Sequence, residues 1–566
     1  MARNTYQLVL LVIILSFPVA NAADEAETVD LFELRAEAER AYADQDAEYA
    51  EALFRQLTEH YPEDPEMWFG LSRAYEWSDQ LDKAISAAER VQSLGYAARA
   101  YLAYRLASLN AMAGHPDEAL GWLERALAAG YEDRPDIRSD EAFVSLRSDP
   151  KFMELAGVPP AEASNRSDGL RFDVDYLVEE AQRMHASPDR PAFSTRFLDE
   201  AKSLREIIPG LDDSEVLAGM LRLMAILSDG HTGIYGPDPD TPLQLSPNVL
   251  PLKFFWFDEG VYVVNGAGAA ASFAGSRVLQ FGDLSAQETL ARLSVYRGLD
   301  NAMTWKWMGP QFYLGRLQML QIAGATDSTD SIVLTLEDTD GKVSTEEFAG
   351  GNYQLRRKLR PSPAATGEVP RYLRNIDVEQ WMESLPELAA VYFQFNQVRD
   401  GDDQSIAEFA AQLAERLASD NASTLIVDVR HNNGGNNSLL RPLIRAMVGF
   451  EQASPDNKIY VITGRNTFSA AQNFVSRVEQ WTDAVFVGEP SASSPNFVGE
   501  ETNLLLPYSR LRGSISTRYW QDSNPGDDRP WITPQVPVEP RAGDYFAGRD
   551  AAMEVIADLI TSSRDR

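Results

Sequence analysis

Two glycine-linked turns of this chain carry residues suited to acyl chemistry. Ser469 lies in Thr467-Phe468-Ser469-Ala470-Ala471, after the β-branched run Lys458 to Thr463 and at the start of an amphipathic stretch. A hydroxyl so placed sits at the positive end of a helix. The second turn, Val427-Asp428-Val429-Arg430-His431-Asn432-Asn433-Gly434-Gly435, follows the apolar run Thr424 to Val429. Its glycines can offer free backbone N–H groups to an oxyanion. Either turn alone reads as an ordinary α/β connection. Together, joined by one helical stretch, they are the two devices an acyl-transfer site needs.

Such a serine requires a base, and the chain has five histidines. His60 and His115 fall in helical repeats, His185 follows Met184 near a helix end, and His431 lies inside the glycine turn, where it can act as a cap. His231 sits in Ser228-Asp229-Gly230-His231-Thr232-Gly233, a glycine-flanked turn at a helix end. That setting reads as reachable by solvent and able to face a neighbouring domain, which suits a general base. There is no cysteine, hence no thiol chemistry and no disulfide. No Cys/His or His-x-x-x-His grouping points to zinc, and neither a metal nor a cofactor is expected.

The elements that must position these groups alternate from Leu388 onward. The patterning predicts strands at Ala389–Phe395, Thr424–Val429, Lys458–Thr463 and Ala484–Val487, and helices at Ser405–Ala418, Ser438–Val448 and Ser469–Trp481. Helices inserted between apolar strands imply a largely parallel βαβ core. Upstream, Phe172 to Leu227 is helical and runs into the His231 turn. Leu250 to Glu347 changes to short alternating strands, with Ala274-Gly275-Ser276-Arg277-Val278-Leu279-Gln280-Phe281-Gly282-Asp283 resembling the strand–turn segment of a PDZ-like module. Such modules take an extended peptide as an added strand. Gly350 to Ile376, with Arg356, Arg357, Lys358 and Arg360, reads as a loop.

From Leu31 to Phe152 the chain repeats itself. Ala50 and Leu57, Ala84 and Val91, and Ala119 and Ala126 share a spacing of seven, and the units step by 34 and then 35 residues. This resembles the tetratricopeptide repeat, whose stacked helix pairs leave a concave face for a peptide or protein partner or simply brace the domain behind them. Pro159 to Gly169 reads as a linker. Arg3, the apolar run Leu8 to Phe17 and Ala20-Asn21-Ala22 read as a signal peptide, so export to the periplasm or beyond is expected, with Ala23 as the mature start and no later membrane span.

Composition bounds the reading. At 566 residues the chain exceeds one core. A hydrophobic content of 44% excludes wholesale disorder, and a net charge of −34 disfavours nucleic acid or an anionic membrane as partner.

The Asp-Val-Arg-His-Asn-Asn-Gly-Gly turn, Thr467 to Ala471, Val487-Gly488-Glu489 and Asp229-Gly230-His231-Thr232 together resemble the serine peptidases of the C-terminal-processing and tricorn family. The resemblance spans about Arg171 to Ala557. It implies a ClpP/crotonase-like β/α core with Ser469 as nucleophile and an oxyanion hole from Ala470 and Gly434 or Gly435. The processing branch uses a lysine about two dozen residues beyond the serine, but no lysine follows Lys458 here, and the corresponding loop is serine-rich. The tricorn-like branch uses an upstream histidine, matched by His231, and a downstream acid. Asp528, 59 residues beyond Ser469 and just before Ile532-Thr533-Pro534-Gln535-Val536, is the candidate acid, with Glu500 as the alternative. Gln535 departs from the aspartate usual there, and Asp527 reads equally as a solvated turn residue.

The resulting multidomain reading is a signal peptide at 1–22, tetratricopeptide-like helical repeats at 27–157, and a helical part of the peptidase at 170–245. A β-rich PDZ-like segment at 246–350 and an α/β core at 380–562 complete it. The expected function is an exported serine peptidase acting on peptide or protein substrates. The alternative is an inactive peptidase fold that captures peptides or partners through its repeats and groove, and an acyl transferase of the same core stands third.

Overall fold

The computed structural model describes residues 30–160, 165–187, 195–352, 354, 356, 358–360 and 369–564. The signal-peptide reading of 1–22 lies outside them. The chain forms two compact units, one ending at Ala129 and the other beginning at Gly130.

Among the described residues, the first unit holds six helices: Leu31–Ala43, Ala47–His60, Pro65–Trp77, Leu81–Leu94, Arg99–Met112 and Pro116–Ala128. Asp30, Asp46 and Asp64 cap the first three through their carboxylates, and Pro65 and Pro116 open their helices where no N–H partner is needed. The repeated positions Ala50, Leu57, Ala84, Val91, Ala119 and Ala126 are all fully buried. Small side chains there let helices approach closely, and Trp68 packs against both apolar clusters of the unit.

The unit boundary falls earlier than the repeat reading placed it. The helices Arg134–Ser139 and Pro150–Ala156 belong to the second unit. Polar ties hold them there: Arg134 pairs with Glu179 at 2.6 Å and Glu180 at 3.1 Å, and Arg138 donates to the Leu505 carbonyl at 3.3 Å. The linker reading also ends too late. The helix Arg166–Met184 starts inside it, capped by the Asn165 side chain accepting from the Asp168 N–H at 3.0 Å. Polar residues that resemble a linker are here a helix-start signal.

Among the described residues, the second unit is built on three sheets. One has the order Val536–Pro537, Val485–Gly488, Lys458–Thr463, Thr424–Asp428, Ala390–Phe395, Gln380–Leu385, with all neighbours parallel except the last pair. Its strands alternate into two apolar cores. Phe393, Phe395, Leu425, Val427 and Val461 pack beneath the helices Ile406–Ser419, Arg441–Ala453 and Ala470–Trp481. Tyr392, Ile426, Ile462 and Val487 pack against Ile556 and Ile560 of the last helix, Ala551–Arg564. Both faces being covered explains why these strands read as continuous apolar runs.

A second, antiparallel sheet takes in Leu252–Phe257, Gly260–Gly266, Arg277–Phe281, Ser331–Glu337 and Val343–Ala349. The third joins distant parts of the chain. Gly233–Pro237, directly after His231, pairs with Leu511–Gln521, which pairs with Asn496–Leu505. The histidine turn is thereby tied to strands that lie downstream of Ser469. Among the described residues, no helix is long and apolar enough to cross a membrane.

Candidate active site

Ser469 occupies the sharp junction between the strand Lys458–Thr463 and the helix Ala470–Trp481, with φ 54° and ψ −126°. A serine gains nothing intrinsic from this left-handed backbone and holds it only because its surroundings demand it. Those surroundings are the glycine turn. The Thr467 hydroxyl donates to the Val429 carbonyl at 3.1 Å, the Phe468 N–H donates to the Asn432 carbonyl at 3.2 Å, and Asn466 Nδ2 donates to the His431 carbonyl at 3.0 Å. Ser469 is half-buried, and its hydroxyl caps nothing in the helix.

Gly434 faces it at close range. It has φ 112°, and a β-carbon there would stand 2.7 Å from Ser469 Cβ and 2.8 Å from the Ala470 nitrogen. Only glycine leaves open the space beside the serine and the first N–H of its helix. The Gly434 N–H itself donates to Asn432 Oδ1 at 2.9 Å. Among the described hydrogen bonds the N–H groups of Gly435 and Ala470 have no acceptor, so these two, rather than Gly434, are free to face an oxyanion. Gly435 also has φ 136°, and its backbone lies against the Val398 carbonyl, which a β-carbon would meet at 2.2 Å.

His231 comes to the residue beside the serine. Its ring stacks on Phe468 at 4.3 Å and on Phe497 at 5.7 Å, and Gly499 closes over it. The sequence reading expected a solvent-reachable imidazole; instead it is 3% exposed, because the turn folds inward between these two rings. Neither ring nitrogen completes a hydrogen bond, and none joins His231 to Ser469; the Val498 backbone lies near enough to favour the protonated ring but outside hydrogen-bond geometry. Burial, with the Arg297 cation assisting and the Asp229 carboxylate opposing, lowers its pKa to about 4. The imidazole is therefore neutral at pH 7.

Asp229 holds this turn. Its Oδ1 accepts from the His231 N–H at 3.0 Å, the Thr232 N–H at 2.7 Å and the Ser516 hydroxyl at 2.6 Å, while Oδ2 meets His185 Nε2 at 2.9 Å. Burial pushes its pKa up, but the His185 and Ser516 bonds win and bring it to about 2. The Ser187 N–H donates to His185 Nδ1 at 3.2 Å, which leaves the His185 proton on Nε2, aimed at Asp229. His185 is thus a structural partner of the carboxylate.

The downstream acids do not reach the imidazole. Asp528 and Glu500 are exposed, and neither side chain bonds to either nitrogen of His231. Glu500 has φ 63° at the end of the buried run Asn496 to Gly499, which turns its side chain to solvent. Asp527 is committed to Arg529 and to the Ser523 hydroxyl at 2.6 Å. Gln535 has a structural use: its Oε1 accepts from the Phe486 N–H at 2.7 Å, at the edge of the parallel sheet. His431 stacks on Tyr372 at 5.7 Å, and its carbonyl rather than its ring ties the turn to Asn466.

Two further groups at these turns carry no local sequence signal. Asn432, fully buried, sets the direction of the Gly434 N–H. Asp300 Oδ1 accepts from the Gly230 N–H at 2.7 Å, and nothing local in Leu299-Asp300-Asn301 marks it. In this region His231, Asp300, His431, Asn432, Asn466, Gln472 and Ser493 each leave at least one buried side-chain atom without a partner.

No protein-family model matches the chain, and no curated protein matches it. Among solved structures, mature CPAF complexed with lactacystin is similar at 13% identity and a TM-score of 0.51, covering 70% of this chain and 98% of that one. A second structure of mature CPAF gives the same score and identity, with 97% of that chain covered. The photosystem II D1 C-terminal processing protease aligns over 68% of this chain at 14% identity and a TM-score of 0.34. Over about 70% of its length, this chain shares the fold of mature CPAF.

Proposed function

We propose that this chain is a serine-type peptidase in which Ser469 is the nucleophile and His231 its base. One observation carries the reading. Ser469 is held in a left-handed backbone at a helix start, with a glycine so close that even a β-carbon would collide and the imidazole stacked on the preceding residue. On binding substrate the ring slides from between Phe468 and Phe497 to take the Ser469 proton. The alkoxide adds to a peptide carbonyl, and the N–H groups of Gly435 and Ala470 receive the negative oxygen. The imidazolium returns its proton to the leaving amine, and water releases the acyl group by the same route. A carboxyl from Asp528 or Glu500 joins only if its loop moves inward. Export and docking of a partner on the front helices belong to the same reading.

The test is labelling of the full chain by a fluorophosphonate, with Ser469→Ala and His231→Ala beside it and lactacystin as competitor. Labelling lost in both variants is expected. A parent that never labels would falsify the peptidase reading. It would favour a capture protein, a reading supported by the unbonded His231 ring and the occupied Gly434 N–H.

A further inference from the structure

The histidine turn is gripped by the segment from Arg297 to Thr304, which lies outside the serine, glycine and histidine turns. Between Arg297 and Thr304, the β-rich module reaches over both halves of the site. Arg297 Nη2 donates to the Gly230 carbonyl, and Gly298 lies so close to the Asp229 backbone that a β-carbon would meet its carbonyl oxygen at 2.6 Å. Asp300 Oδ1 takes the Gly230 N–H at 2.7 Å. Asn301 Nδ2 donates to the carbonyls of Ser491 at 3.1 Å and Pro530 at 2.7 Å, and the Thr304 hydroxyl donates to the Ala492 carbonyl at 2.7 Å. One short segment therefore clips the turn bearing His231 to the loop that follows the parallel strand Val485–Gly488. The turn also lies against the serine side, since a β-carbon on Gly230 would stand 2.8 Å from the Phe468 ring.

Within this clip, Asp300 is the group able to change charge. Its Oδ2 is buried and completes no hydrogen bond of good geometry, and the Ser493 hydroxyl faces it closely enough to favour the charged form. We propose that Asp300 is a positioning residue for His231, and that gain or loss of its proton sets how firmly the histidine turn is held beside Ser469. This rests on the peptidase reading. The ionised carboxylate is the stronger acceptor for the Gly230 N–H, and its charge favours the imidazolium that forms during reaction. The groups facing Asp300 are Asp229 across Gly230, Arg297 on its own segment and Ser493 from the opposite loop. Burial, then the Asp229 charge, raises its pKa to about 7, against the lowering influence of Ser493, the Gly230 N–H and Arg297. The acid form predominates below that value and the gripping carboxylate above it.

The experiment is the rate of fluorophosphonate labelling of the full chain between roughly pH 5.5 and 8.5, for the parent, Asp300→Asn and Ser493→Ala. The parent rate should rise through about 7. Asp300→Asn keeps an acceptor for Gly230 but cannot ionise. It should stay within about 2-fold of the parent at the acid end and fall about 10-fold behind at the alkaline end. Ser493→Ala should move the rise to higher pH. Melting supplies a second readout: ionising a buried acid costs stability as pH rises from 3.8 to about 7, so the Tm advantage of Asp300→Asn should grow over that range. A rise retained in Asp300→Asn, a constant ratio of rates, or a Tm difference flat with pH each overturns the proposal alone. Should Asp300→Asn fail to fold, an unshifted rise in Ser493→Ala does the same. A parent unlabelled at every pH removes the peptidase reading and this inference with it.

Discussion

The two halves of the site are held by different forces. The serine half rests on apolar burial and uncharged hydrogen bonds to the glycine turn: Ala470, Phe474, Val475 and Val478 of its helix sit in the core beneath the parallel sheet. The histidine half rests on directed polar bonds, with Asp229 accepting three hydrogen bonds on one oxygen and Asp300 a fourth from the same turn. Burial is nondirectional and independent of pH, so it fixes an element. Hydrogen bonds to carboxyl groups aim a turn and can titrate. In the proposed peptidase reading, Ser469 is thus the rigid partner, and His231 is the one whose placement conditions can alter.

That contrast can be broken first on the serine side. Gly434→Ala places a β-carbon against Ser469 Cβ and the Ala470 nitrogen in a backbone that disfavours alanine. Labelling should fall by at least about 100-fold. A near-parental rate would show that this turn does not border the reacting groups.

On the histidine side, Asp229→Ala strips the acceptor from the His231 and Thr232 N–H groups, the Ser516 hydroxyl and His185. Urea unfolding should register a loss of about 3 kcal/mol, comparable to breaking a buried pair. Labelling should slow by about 10-fold or more. The contribution of Asp229 is present above 3.8 and disappears as pH falls toward about 2. An unchanged unfolding midpoint would remove Asp229 as the organiser of the turn.

A smaller effect follows from the neutral imidazoles. Burial lowers both His231 and His431 from 6.5 to about 4. A depressed histidine pKa means that stability is full above 6.5 and declines as pH drops toward about 4. Tm measured across that window should fall, and less steeply in His231→Asn and His431→Asn. Parallel melting curves for parent and variants would count against burial as the cause.

The smallest effects sharpen the picture of the acid. Asp528→Ala and Glu500→Ala remove exposed carboxylates that bond to neither nitrogen of His231. Each should leave labelling within about 3-fold of the parent. A large loss in Asp528→Ala alone would show that its loop swings in during reaction.

Much of this arrangement was legible in local pattern. The β-branched runs before Gly434 and Ser469 announced buried strands, and the alanines at repeated positions announced close helix crossings. Other features were illegible for physical reasons. His231 looked exposed because glycine-flanked turns usually are, and only Phe468 and Phe497, far away in sequence, enclose it. The polar stretch before Arg166 resembled a linker because caps and linkers draw on the same residues.

By itself, the sequence determined the local settings of the candidates: the hydroxyl at a helix start, the paired glycines, and one histidine in a glycine-flanked turn, since each depends on short-range backbone geometry. Tertiary structure alone decided how they meet. It put Asp300 onto the Gly230 N–H, turned Asp528 and Glu500 to solvent, and gave the Gly434 N–H to Asn432. Those outcomes depend on contacts between segments that the chain brings together only when its sheets close, and no local pattern records them.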